Sequence, residues 1–162
     1  MASLKLILSG MVSALESDTL LDTFAKTLKK DEPGSAGRLV VLKGNEFLAR
    51  EIPLENYPFT MFVIGDEIGQ DYDAPGRSVR RQCDVHFAFF DNNTSRGTDR
   101  AIDFEENMVR VLGRFLSMSV VGPNNPDGLI RDFDVGLILV DRDVNRPKVF
   151  RTLPVELEYT TG

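Results

Sequence analysis

The run Val149-Phe150-Arg151-Thr152-Leu153-Pro154-Val155-Glu156-Leu157-Glu158-Tyr159-Thr160 decides the fold. Val149, Leu153, Val155, Leu157 and Tyr159 fall on one side of an extended chain. Phe150, Thr152, Glu156, Glu158 and Thr160 fall on the other. A period of two marks a strand with one buried and one wet face. Pro154 has no amide donor, which assigns it to a bulge or a sheet edge. Upstream, Arg131 to Val140 reads as another strand, apolar on both faces from Val135 to Val140 apart from Gly136. Asp141 to Pro147 is the charged hairpin tip between the two.

Working outward, Arg77 to Asp91 is also strand-like. Val79, Cys83, Val85, Phe87 and Phe89 alternate there with Arg80, Gln82, Asp84, His86 and Ala88. Arg81 interrupts the apolar face near its start, so that end is expected to project from the sheet. Arg38 to Lys43 and Phe59 to Ile64 are short continuous apolar runs, the pattern of interior strands, with Gly65 closing the second. Asp66 to Gly76 reads as a polar loop with Pro75-Gly76 as its turn.

Helical spacing appears twice. From Ser3 to Lys30, Leu4, Leu8, Met11, Leu15, Leu20, Leu21, Phe24 and Leu28 recur at about helical steps. One bent helix and two helices capped at Ser17 or Asp18 both fit. Thr98 to Ser117 is the second stretch, with Ala101, Phe104, Met108, Val111, Leu112 and Phe115 as its core stripe. Ile102, Val109 and Leu116 widen its apolar face beyond what packing on one sheet needs, so they are candidate inter-subunit contacts. Strands separated by one long helix predict an α+β fold, a mostly antiparallel sheet with helices packed on one face. An open edge strand on such a sheet invites a neighbouring subunit.

The chain has 162 residues, which fits a single domain over 1–162: a helical segment 3–30 and an α+β body 38–160. A net charge of -6 disfavours general nucleic-acid binding, because an acidic surface repels phosphates. The basic cluster Arg77, Arg80 and Arg81 is either a subunit contact or a local salt-bridge set. No apolar run reaches the roughly 20 residues of a membrane helix. Between Met1 and Ala14 only Lys5 is basic, and Ser9, Gly10 and Ser13 interrupt the apolar stretch, so no signal peptide is expected.

The search for chemistry yields no catalytic residue, no metal site and no cofactor motif. One cysteine, Cys83, and one histidine, His86, lie three apart on a strand, hence on opposite faces. They cannot form a simple nucleophile–base pair; Cys83 reads as a core residue and His86 as part of the wetter face. The order of Asp66, Glu67, Gly69, Asp71, Asp73 and Gly76 does not match a calcium loop. Asp132 and Asp134 share a strand face, but no nucleophile accompanies them. Thr94 to Thr98 at a helix start fits an anion cradle or ordinary capping.

One resemblance covers most of the chain, from Leu4 to Tyr159. The segment Tyr57-Pro58-Phe59-Thr60-Met61-Phe62-Val63-Ile64-Gly65 and the strand Cys83-Asp84-Val85-His86-Phe87-Ala88-Phe89-Phe90-Asp91 precede the long helix and the closing strand. In that order they resemble the tail terminator (tail completion) proteins of long-tailed bacteriophages. The resemblance implies a virion protein and not an enzyme. It implies a hexameric ring that caps the tail tube and joins it to the head connector, assembled in the host cytoplasm. The tube protein and a neck protein would be its partners, with DNA passing through the lumen unread. Asp66, Glu67, Asp71 and Asp73 are then candidates for a lumen or docking loop. The alternatives are another head–tail joining protein, an injection-system tail component, or a small cytoplasmic ligand-binding domain.

Overall fold

Asp18 divides the N-terminal helical run in two. Helix α1 spans Leu4–Glu16 and helix α2 spans Thr19–Asp31. The Asp18 carboxylate accepts from the Leu21 amide at 3.0 Å, satisfying one of the free donors at the start of α2. Lys29 and Lys30 lie in its last turn, where the helix dipole favours positive charge. The computed structural model describes residues 4–42, 52–73, 76–140 and 148–161. The expected hairpin tip Asp141 to Pro147 lies outside the described residues, as does Pro75 of the expected turn.

The remaining elements are strand β1 (Val40–Leu42), a 3-10 turn (Leu54–Asn56), β2 (Phe59–Asp73), β3 (Gly76–Phe90), helix α3 (Thr94–Ser119), β4 (Asp132–Val135), β5 (Leu139–Val140) and β6 (Lys148–Thr161). The sheet order is β1-β2-β3-β6-β4, with β5 also pairing β6. Only β1 with β2 is parallel; the other named strand pairs are antiparallel. This is the expected α+β architecture.

Three boundaries differ from the sequence reading. Residues 66–73 are strand, not loop: β2 continues past Gly65, and its pairing with β3 shifts between Ile64 and Glu67 and again between Glu67 and Gly69. Those irregularities break the period of two, so the acidic stretch lost its strand signature. The strand expected over Arg131 to Val140 is two short strands. Its partner positions on β6 jump from Val155 to Thr152 while it advances from Val135 to Leu139. The extra residue is a bulge, and Pro154 sits opposite it, its carbonyl accepting from Gly136 at 2.8 Å. A residue's N and C=O point to the same side of a strand, so the missing Pro154 donor faces the bulge. Finally, α3 outruns the expected Thr98 to Ser117 at both ends. Asn93 caps its start by accepting from the Arg96 amide at 2.9 Å. The Asn125 side-chain amide donates to the carbonyls of Met118 and Val120, both at 2.9 Å, and so closes its end.

The three helices cover one face of the sheet. Ile7, Met11 and Leu15 of α1, Leu21 and Leu28 of α2, and Phe104, Met108, Leu112 and Leu116 of α3 pack on Val79, Cys83, Val85, Phe87 and Phe89 of β3 and Leu153, Val155, Leu157 and Tyr159 of β6. Leu116 is 0% exposed. The expectation that it forms part of a subunit contact is therefore corrected: it belongs to this core. Gly10 lets α1 approach α3, since a Cβ there would lie 2.3 Å from the Phe115 ring. A smaller cluster of Val40, Tyr57, Phe59, Ala88 and Phe150 forms on the opposite face, near β1.

Candidate assembly surfaces

Register fixes what the face opposite the helices carries. Asp132 lies directly across from Glu158 and Asp134 across from Glu156. On the other side of β6, Glu158 faces Arg80, Glu156 faces Gln82, and Pro154 faces Asp84. Asp71 joins the same face through its pairing with Ser78. Arg80 bridges the two glutamates at 3.0 and 3.1 Å. Asp132 and Asp134 are exposed and have no ion-pair partner among the described residues. Like charges directly opposite one another destabilise a sheet pair by about 0.2–1 kcal/mol. The double replacement Asp132→Asn/Asp134→Asn is therefore expected to raise stability by about that amount per pair. A urea midpoint that falls instead would show that another group compensates them.

The basic cluster is divided between the two faces. Arg77 and Arg81 point to the helical side, where both meet Glu67; Arg77 Nε also donates to Gln70 at 2.8 Å, and Arg81 Nε to the Gly65 carbonyl at 3.0 Å. All three arginines thus have partners within the chain, as the salt-bridge reading anticipated. Of the acids at the supposed loop, Glu67 is held by these arginines, Asp66 falls in the bulge, and Asp71 joins the acidic face. Asp73 pairs with Gly76 at the end of the hairpin. The four acids therefore do not converge on one loop.

Ile102 and Val109 are exposed on the outer side of α3, at 48% and 38%. Leu137, Leu139 and Val140 are exposed along the β4–β5 edge.

The groups with chemical potential have structural roles. Cys83 is 0% exposed, and burial pushes its thiol up to about 12. His86 lies on the opposite face, stacked on Phe150, with Nδ1 2.8 Å from the Thr152 hydroxyl. Burial likewise pushes the Tyr57 phenol up to about 12. Asp91 collects Arg96 at 2.7 Å and Arg100 at 2.6 Å, joining the end of β3 to the start of α3. Arg100 continues to Asp31, and the Glu32 carboxylate accepts from the Asn92 amide at 2.9 Å, which fastens the end of α2 to the same point. The Thr94 to Thr98 region is thus an ordinary cap backed by a salt-bridge network. An open cleft between the α1–α2 junction and α3 is lined by Asp18 and Arg110, which pair at 2.7 Å.

Among the described residues no group of three or more His, Cys, Asp or Glu is placed to hold a metal ion. No described helix is long and apolar enough to cross a membrane. The sequence could have pointed to the acidic face, because Asp132/Asp134 and Glu156/Glu158 each carry acids at alternate strand positions. What it lacked was the pairing that sets one beside the other.

No protein-family model matches the chain, and no curated protein matches it. Among solved structures, the chain is similar to one from the "Virion of native gene transfer agent (GTA) particle". That likeness has a TM-score of 0.45 at 11% identity and covers 93% of this chain and 92% of the other.

Proposed function

We propose that the chain is a structural protein of a phage-type virion, a tail terminator that caps the tail tube as a ring and joins it to the head connector. The observation that carries this reading is the acidic sheet face. Asp84, Asp132, Asp134, Glu156 and Glu158 stand together there, with direct like-charge pairs that weaken the isolated subunit. Such a face suits the wall of a channel through which a polyanion moves, because it repels phosphates and prevents sticking. It replaces the acidic loop as the candidate lumen surface, with Asp71 at its margin. The sheet and the outer side of α3 supply exposed apolar surface for lateral contacts. The sequence resemblance supports the same role.

Deleting the gene from the viral genome that carries it is expected to leave tails of excess length, scored by negative-stain imaging. Tails of normal length that fail to join heads would favour the head–tail joining alternative. Unaltered infectious particles would overturn the virion reading.

A further inference from the structure

Unpaired charge of opposite sign lies on two flanks of the helical layer. On α3, Ile102, Glu106, Val109 and Gly113 follow at steps of four, three and four, so they share one outward stripe. Asp99 and Asp103 border it, beside Glu106 within it. All three are exposed, and none has an ion pair among the described residues. Their neighbour Glu105 is occupied by Arg151 of β6 at 2.7 Å, which sets the Ile102–Val109 side of the stripe toward β6, whereas Asp103, two turns from both Arg96 and Arg110, lies on the side where those arginines meet Asp31 and Asp18. Gly113 adds an independent observation. A Cβ built there meets nothing within 4 Å, and its φ is not positive. Glycine in a helix interior costs about 1 kcal/mol relative to alanine, and among the described residues no neighbour requires it here. A missing side chain on an outward apolar stripe does permit close approach by a second surface.

The opposite flank is basic. Phe24 turns α2 toward Phe104 of α3, while Lys29 lies against Gly37 on the other side. That places Lys29 beside Arg38, which precedes the edge strand β1 by two residues. Lys29, Lys30 and Arg38 are exposed and lack ion pairs among the described residues. Of the nearby acids, Asp22 is taken by Lys26 at 2.7 Å. Glu16 lines the cleft beside Arg38 together with Asp22.

We infer that copies of this chain associate head to tail, the Lys29–Lys30–Arg38 corner of one seating on the Ile102–Val109–Gly113 stripe and its carboxylates on the next. The inference rests on the ring reading and names the two surfaces that build the ring. Contact between unlike surfaces leaves each copy with one donor and one acceptor face, and such contacts close into rings when the rotation permits. The charges set orientation and on-rate, and the apolar stripe supplies burial.

The test uses full-length chain, an equal mixture of isotopically heavy and light protein, and a zero-length carbodiimide that joins amines to carboxylates. Mass spectrometry is expected to find heavy–light links from Lys29 or Lys30 to Asp99, Asp103 or Glu106. Their yield should fall about tenfold between about 50 and 500 mM salt, as screening shortens the reach of these charges. The variants Asp103→Lys/Glu106→Lys and Lys29→Glu/Lys30→Glu, each checked for folding by circular dichroism, should alone lose the links at positions 103 and 106, and when mixed should recover them with amine and carboxylate exchanged. Links at other positions, or no recovery on mixing, would overturn this interface and leave the ring reading standing. Absence of any link between copies overturns the interface too. The ring reading itself falls only if tail length is also normal without the gene.

Discussion

Asp91→Ala is expected to destabilise the protein by about 3–5 kcal/mol, the usual loss when one member of a buried ion pair is removed. The Asp91 carboxylate is 0% exposed and the Arg100 side chain 10%. Without Asp91, Arg100 retains only the more exposed Asp31 among the described residues, and Arg96 loses its nearest partner. The network also joins three elements, so its loss frees the end of α2, the exit of β3 and the start of α3 together. The pH dependence has a definite sign. Burial pushes the Asp91 carboxyl up, but hydrogen bonds from Arg96, the Asn93 amide and Arg100 outweigh it and hold the group below 3.8. Asp31 is lowered in the same direction, chiefly by the hydrogen bond from Arg100. Groups depressed in the folded state contribute stability above their unfolded values, and that contribution is lost as pH falls through the folded ones. Melting temperature should therefore hold near neutrality and drop below about pH 4. Asp91→Asn should show a shallower drop; an acid limb identical to that of the parent would remove Asp91 as its source.

Phe104→Ala should cost a comparable amount, about 3–5 kcal/mol. The ring is 1% exposed and lies at 4.8 Å from Phe24, 5.0 Å from Phe87 and 6.0 Å from Phe89 between ring centroids. It is the point at which α2, α3 and β3 meet. Alanine leaves a void bordered by rigid rings, which close poorly around it. Phe104→Leu retains most of the volume and should lose less than half as much, as volume-conserving exchanges do. Urea unfolding of the pair decides the matter: equal losses would mean that ring contacts, and not cavity size, set the cost. Since whole domains are stable by only about 5–15 kcal/mol, either alanine variant is expected to reduce soluble yield.

The parts of the fold that were legible in the sequence are those whose core contacts repeat regularly. The alternation in β3 and β6 and the stripe Phe104, Met108, Leu112 each answer to one continuous buried surface. The misread parts are those where the sheet departs from its period. Around Glu67 the register shifts, and beyond it Ile68 and Tyr72 are exposed among polar residues and glycine, so its acids imitated a loop. Gly136 and Pro154 mark a second such place, and there the proline did signal the bulge. Leu116 reads as outward in the sequence because helical spacing gives the width of an apolar face but not the depth of the core beneath it. The acidic face was the hardest to see, because it depends on β6 lying between β3 and β4, an order that no local pattern reveals.

That central position of β6 also bears on how the molecule is made. During synthesis the ribosome releases β3 long before residues 148–161, and the bond from Thr161 to the Arg77 carbonyl spans 84 positions. Until then one side of β3 has none of its native ladder, while β4 and β5 pair with no described strand except β6. Such distant pairings close slowly, and unpaired strands left waiting are prone to join the wrong chain. The nascent polypeptide is therefore expected to depend on chaperones more heavily than a helical protein of equal length.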